Sequence, residues 1–169
     1  MEVEAKFKLK EGVLEKIERI ARFLEEKEEF DLYFSHPCRD FAETDEALRI
    51  RVEKKIKMTY KGPKVDEETK TREEVNLIID NFENAVRLLE FLGFRKYKSI
   101  RKKRRIYELN GAIICVDEVE SLGKFVEIEV KGLSEKQKIF EIARILGYSK
   151  EESIRLSYLE LLEKLNGEV

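Results

Sequence analysis

The feature that most constrains this chain is a two-residue alternation of apolar and charged side chains, repeated along most of its length. In residues 2–10, EVEAKFKLK, the side chains of Val3, Ala5, Phe7 and Leu9 fall on one face of a strand. Those of Glu2, Glu4, Lys6, Lys8 and Lys10 fall on the other. The same period returns in ALRIRVEKKI (47–56), where Arg49 and Arg51 oppose Leu48, Ile50 and Val52. It returns again in KFVEIEVKG (124–132), where Phe125, Glu127 and Glu129 oppose Val126, Ile128 and Val130. FDLYF (30–34), MTYKGP (58–63, closing on a Gly-Pro turn), REEVNLII (72–79), KSIRKKRRIYEL (98–109) and AIICVDEV (112–119) complete about eight strands. Asn110-Gly111 is a hairpin turn between the last two of these.

Between and after the strands the period changes to that of a helix. Val13, Leu14, Ile17, Ile20, Ala21 and Leu24 predict a helix over 13–27. NFENAVRLLEFLGF predicts one over 81–94, capped by Asn81 and stopped at Gly93. Two more are expected over 135–147 and 150–165, divided at Gly147. Residues 36–46 read as a loop. Residues 62–72 read as a polar loop that could order over a ligand as a lid. No linker interrupts the pattern, so a single domain over 1–169 is expected.

Helices can cover the apolar strand faces, which leaves the charged faces to be explained. One such face could simply meet water, as antiparallel sheets often do. A sheet of eight strands tends to curl or close. With helices outside, closure turns the charged faces into a lumen. The fold class is therefore α+β: a closed antiparallel β-barrel with helices packed outside. A lumen of arginine and lysine calls for an anion, because buried unpaired charge is costly. A lumen that also holds carboxylates calls for cations, and hard oxygen donors suit Mg2+ or Mn2+. That pairing is the equipment of phosphoryl or nucleotidyl transfer, where positioning and charge neutralisation dominate.

Composition excludes the main rivals. Lys and Arg (34) nearly balance Asp and Glu (36), for a net charge of −2, so neither nucleic acid nor an anionic membrane is an expected partner. RKKRR (101–105) lies within a strand beside acidic strands rather than in a basic patch. No apolar run approaches the roughly 20 residues of a membrane span, and the N-terminus offers no signal-peptide core, which predicts a cytoplasmic protein. The two cysteines, Cys38 and Cys115, have no metal or disulfide spacing, and the one histidine, His36, sits beside Pro37 in a loop. Neither a Walker A motif nor a dinucleotide-binding glycine pattern is present. Charged residues make up 41% of the chain, with both signs mixed, which points to the surface ion-pair networks of a thermophile protein.

Taken in order, Glu2-x-Glu4-x-Lys6, ALRIR (47–51), TYKGP (59–63), Arg72-x-Glu74, Arg104-x-x-Tyr107, the run from Asp117 to Glu129, and SYLELL (157–162) resemble the CYTH superfamily over essentially the whole chain. That superfamily groups class IV adenylyl cyclases, thiamine triphosphatases and inorganic triphosphatases. The stretch 33–51 is most similar to the cyclase branch. The resemblance implies a closed tunnel in which Glu2, Glu4, Asp117, Glu127 and Glu129 hold one or two divalent ions. It implies that Lys6, Arg49, Arg51, Lys61 and Arg104 bind the triphosphate. Lys8, Arg72, Glu74, Lys102 and Arg155 are further candidates, and no catalytic residue is assigned. The expected substrate is a nucleotide or other triphosphate. The expected activity is adenylate cyclase, with a triphosphatase and a non-catalytic polyphosphate- or nucleotide-binding module as alternatives. A homodimer is compatible with the sequence.

Overall fold

The computed structural model of the chain describes residues 1–167; residues 168 and 169 of the expected domain lie outside the described residues. Eight strands form one antiparallel sheet: β1 (Val3–Lys8), β2 (Arg22–Ser35), β3 (Ala47–Val52), β4 (Ile56–Lys64), β5 (Arg72–Ile79), β6 (Arg95–Leu109), β7 (Ala112–Val119) and β8 (Gly123–Val130). Their spatial order is β1-β8-β7-β6-β2-β3-β4-β5.

The sheet curls until its two ends meet. Glu2 and Arg72 exchange both backbone hydrogen bonds, at 3.0 and 3.1 Å. The Lys70 amide donates to the Glu4 carbonyl at 2.9 Å, and the Ile154 amide to the Lys6 carbonyl at 2.7 Å. The free edge of β1 is thus paired at alternate residues, the same ones whose side chains point into the barrel. An edge left open would be a template for association; here the chain's own segments occupy it.

The convex apolar face is covered in two places. Val3, Ala5, Phe7, Ile114, Val126 and Ile128 pack with Val13 and Ile17 of helix α1 (Val13–Ile20) and with the apolar face of α4 (Lys136–Leu146). Leu32, Phe34, Leu48 and Ile50 pack under Ala85, Val86 and Leu89 of α3 (Phe82–Phe91). A short α2 (Phe41–Thr44), capped by Asp40, interrupts the predicted 36–46 loop.

The last helix, α5 (Tyr158–Leu165), does something different. Tyr158 packs with Tyr33, Ile100, Val119 and Phe125. Side chains two residues apart on a strand share a face, so these four lie on the same face as Asp31, Lys102, Asp117 and Glu127. The barrel interior is therefore apolar and covered by α5 at one end, and charged beyond it.

Four predicted boundaries move, each for a physical reason. The helix expected over 13–27 stops at Ile20, because residues 22–28 extend β2 along the 15-residue β6. Tertiary pairing overrides the local helical stripe. The strand predicted over 47–56 is two strands, β3 ending at Val52 and β4 starting at Ile56. Gly62-Pro63 does not end β4; it sits in a register irregularity opposite β5, where proline's missing N–H costs no ladder bond. The helix expected over 150–165 is a 3-10 turn at Lys150–Glu152, an extended stretch, and α5. Two capping boxes, Ser149/Glu152 and Ser157/Glu160, start these separately.

Candidate functional site

The charged part of the lumen is a cavity of about 200 Å³. Of the residues expected there, Glu2, Glu4, Arg49, Arg51, Lys61, Arg72, Glu74, Lys102, Arg104, Glu127 and Glu129 all line it. Lys6 and Asp117 lie just beneath its wall, both fully buried. Lys8 and Arg155 are not brought in. Lys8 is exposed at the end of β1, opposite Phe125, and Arg155 points outward to donate to the Asp66 carbonyl at 2.6 Å.

The strand register explains the assembly. Cross-strand partners share a face, and the ladders place Glu4 opposite Glu129, Lys6 opposite Glu127, Arg104 opposite Asp117, and Ala47 opposite Lys61. Glu4, Asp117, Glu127 and Glu129 therefore gather on β1, β7 and β8, with Glu2 just before β1 and Glu74 apart on β5, while most of the cations lie on β3, β4 and β6.

Seven lining residues were not anticipated: Asp31 and Tyr33 on β2, Ala47 on β3, Lys57 on β4, Lys70 in the 65–71 segment, Ser157 at the cap of α5, and Tyr158 on α5. Glu29 joins them as a buried neighbour on β2. Asp31 and Tyr33 lie in the strand read at 30–34 but were not singled out there, and reading residues 13–27 as a helix cut short the alternation Lys27, Glu29, Asp31, Tyr33. Lys70 lies in a polar stretch without periodicity.

Nearly every charge is paired. Arg51 forms a bidentate pair with Asp31 at 2.7 and 2.8 Å, and Lys102 reaches the same carboxylate at 3.0 Å. Arg104 pairs in bidentate fashion with Asp117, both bonds at 2.7 Å, and reaches Glu127 at 2.7 Å. Lys70 bonds Glu4 and, at 3.0 Å, Glu127. Lys61 lies 3.2 Å from both Glu2 oxygens. Lys6 donates to the Leu156 carbonyl at 2.7 Å under the Tyr158 ring, whose hydroxyl donates to Asp117 at 2.6 Å.

Three buried side-chain atoms of the lumen lack a hydrogen-bond partner among the described residues: Oε1 of Glu29, Oε2 of Glu74 and Nε of Arg49. The two carboxylate oxygens still lie 3.1 and 3.5 Å from the ammonium groups of Lys102 and Lys61, and the Arg49 Nε is the one donor of the three. An unpartnered guanidinium N–H in a cationic wall is a site for an anion.

Burial and pairing push the ionisable groups in opposite directions. Burial alone would raise Glu2, but Lys61, Lys70 and Arg49 outweigh it and lower it to about 2. Glu127 and Asp31 are likewise held well below the carboxylate range against their burial, Glu127 by Lys70, Lys6 and Arg104, and Asp31 by Arg51 and Lys102. Burial and the neighbouring Glu127 charge raise Glu4 to about 7 despite Lys70. Burial lowers Lys61 to about 8, only partly offset by Glu2, and lowers Lys6 well below its ordinary value. An anion bound beside them would raise both lysines again.

The carboxylate oxygens are the hard donors that Mg2+ or Mn2+ prefers, so their chemistry fits a divalent ion. They are not arranged as a ready-made centre: among the described residues no three acidic, histidine or cysteine side chains converge on one point. Resident cations stand between them instead.

No helix among the described residues is long and apolar enough to cross a membrane. Comparison with known proteins agrees with the geometry. A protein of Methanocaldococcus jannaschii, provisionally named an adenylate cyclase, is 42% identical, covering 95% of this chain and 98% of its own length. A Pyrococcus horikoshii protein of solved structure superposes with a TM-score of 0.91 at 40% identity, covering 98% and 99% of the two chains. A Hippeastrum protein named for adenylyl cyclase but described as having a dominant triphosphatase activity shares the fold, with a TM-score of 0.70 at 19% identity, covering 100% of this chain and 97% of its own. The CYTH domain model matches residues 1–158, and the chain belongs to the CYTH domain family.

Proposed function

We propose that the lumen binds the triphosphate of a nucleotide together with a divalent ion, and that the chain is an adenylate cyclase converting ATP to cyclic AMP and pyrophosphate. The observation that carries triphosphate binding is the unpartnered Nε of Arg49 in a wall shared with Arg51, Lys61 and Arg104. The name of the 42%-identical relative favours the cyclase reaction over others that the same site could serve.

In this reading Arg49 and Lys61 take the phosphate oxygens first, because Arg49 has an unpartnered donor and Lys61 is held only by longer contacts, to Glu2 at 3.2 Å and Glu74 at 3.5 Å. Arg51 and Arg104 follow from their carboxylate partners, their fork geometry suiting phosphate as it suits carboxylate. Glu2, Glu4, Asp117, Glu127 and Glu129 are the oxygens that would hold Mg2+ or Mn2+. Such an ion, when bound, neutralises charge on the phosphates and on the departing pyrophosphate. The ribose 3′-oxygen forms its bond to the α-phosphorus as the bond from that phosphorus to the β-bridging oxygen breaks. The hydroxyl proton passes to solvent water, and the cationic wall retains the pyrophosphate.

The second reading is a triphosphatase, in which water attacks the terminal phosphorus within the same clamp. The related fold described as having dominant triphosphatase activity keeps it in view. Incubation with ATP, and separately with inorganic triphosphate, plus Mg2+ or Mn2+, followed by product identification, separates the readings. Cyclic AMP with pyrophosphate is the expected result. Orthophosphate without cyclic AMP would replace cyclase by hydrolase. No turnover of either compound would leave a binding module.

A further inference from the structure

The carboxylates that would hold a divalent ion are already bridged. The Lys70 ammonium lies between Glu4 and Glu127, bonded to an oxygen of each, and all three side chains are nearly excluded from water. Lys70 comes from neither a strand nor a helix. It is delivered by the short segment joining β4 to β5, and nothing in the alternation of the strands requires a cation there.

That segment is rigidly held. The Lys70 amide bonds the edge of β1, and the Val65 amide donates to the Thr71 carbonyl at 2.8 Å. Thr69 and Thr71 are fully buried, and Asp66 accepts from both the amide and the hydroxyl of Thr69 at 2.8 Å. Outside, Lys136 pairs with Asp66 at 2.8 Å and with Glu68 at 2.7 Å. The backbone is thus fixed, and any movement of the ammonium belongs to its four-carbon stem. A lysine suits that task, being a point charge on a flexible arm with no fork geometry to hold it.

We propose that Lys70 is the resident counter-ion of the carboxylate site, bridging Glu4 and Glu127 until a divalent ion displaces its ammonium into the phosphate-binding part of the lumen. The inference rests on the metal-site reading above and deepens it. A monovalent ammonium and a divalent ion cannot both lie between the same two oxygens. Lys70 already lines the cavity, so the displaced ammonium has a short path to the cationic wall. There it adds a donor to an arriving triphosphate. Metal entry and triphosphate binding thereby favour each other, and Lys70 is a positioning residue that couples them.

The test uses the full chain and Mn2+ alone, with free Mn2+ measured by electron paramagnetic resonance in the absence of any triphosphate. Lys70→Met keeps the stem and removes the charge. Its Mn2+ dissociation constant is expected to fall by about tenfold relative to the unaltered chain. In the unaltered chain, acetylation of Lys70 followed by mass spectrometry should accelerate on adding Mn2+, as the ammonium leaves its buried bridge. This second measurement decides the matter if Lys70→Met does not fold. Unchanged or weaker Mn2+ binding by a folded Lys70→Met, or equal labelling with and without Mn2+, overturns the role of Lys70. Glu127→Gln distinguishes the two levels. If it abolishes Mn2+ binding, the metal site stands whatever Lys70 does. If it binds Mn2+ as the unaltered chain does, the metal site itself is misplaced and the inference about Lys70 goes with it.

Discussion

At the scale of single residues, the lumen holds opposite charges in a low-dielectric space and leaves one buried donor, the Arg49 Nε, without a partner among the described residues. Arg49 is predicted to matter most for anion binding. Arg49→Gln removes a charge-assisted hydrogen bond worth about 1.5–3 kcal/mol, so triphosphate affinity should fall by roughly 10- to 150-fold. Isothermal titration with inorganic triphosphate and Mg2+ would show it, and unchanged affinity would remove Arg49 from the clamp. The buried carboxylates also fix the response to acid. Glu2 is lowered from an ordinary 4.5 to about 2, so its contribution is complete above pH 4.5 and is lost as pH falls towards 2. That contribution is about 3 kcal/mol. Asp31 and Glu127 act in the same direction. Glu4, raised to about 7, acts in the opposite sense, its contribution being present below pH 4.5 and lost as pH rises through 7. Glu29 is also lowered, against its burial, by Arg51, Arg104 and Lys102, and Glu129 is also raised, by burial and the Glu2 charge. Four lowered lumen carboxylates against two raised predict that the urea midpoint of the metal-free chain falls between pH 5 and pH 3; a flat or rising midpoint would contradict the pairing.

At the scale of elements, much of the architecture was legible because a strand with one charged and one apolar face states its own orientation. Glu2, Glu4, Arg49, Arg51, Lys61, Arg104, Glu127 and Glu129 were readable in this way, and all line the cavity. What the alternation could not state was pairing. Residues 22–28 carry enough apolar spacing for a helix, and only the long β6 beside them makes them strand. Lys8 follows the inward alternation yet is exposed, because the lumen ends before the strand does. Lys70 had no period to reveal it, and its place depends on the backbone bond to Glu4. The extended stretch before α5 was hidden by a continuous helical composition, although Ser157 and Glu160 form a legible start signal. That cap also positions Tyr158, which covers the apolar end of the lumen and bonds Asp117. Ser157→Ala should therefore cost about 1 kcal/mol of stability by denaturant unfolding, as the loss of an N-cap does. No measurable change would show that α5 is held by packing alone.

At the scale of the whole molecule, a barrel closed by its own loop and C-terminal segment, with a charge content of 41%, is expected to resist heat. Its melting temperature should lie above the ~45–65 °C of ordinary mesophile domains. A value inside that range would show that the charge load serves solubility rather than stability. The central claim, however, is that two sets of lumen side chains divide the work, carboxylates for a divalent ion and Arg49 with Lys61 for a triphosphate. The most direct measurement is equilibrium binding of inorganic triphosphate, with and without Mg2+, to the unaltered chain and to an Arg49→Gln/Lys61→Gln double variant. One triphosphate should bind per chain, more tightly with Mg2+ than without, and the double variant should lose that binding while remaining folded. Binding that ignores Mg2+ and survives in the folded double variant would contradict the account.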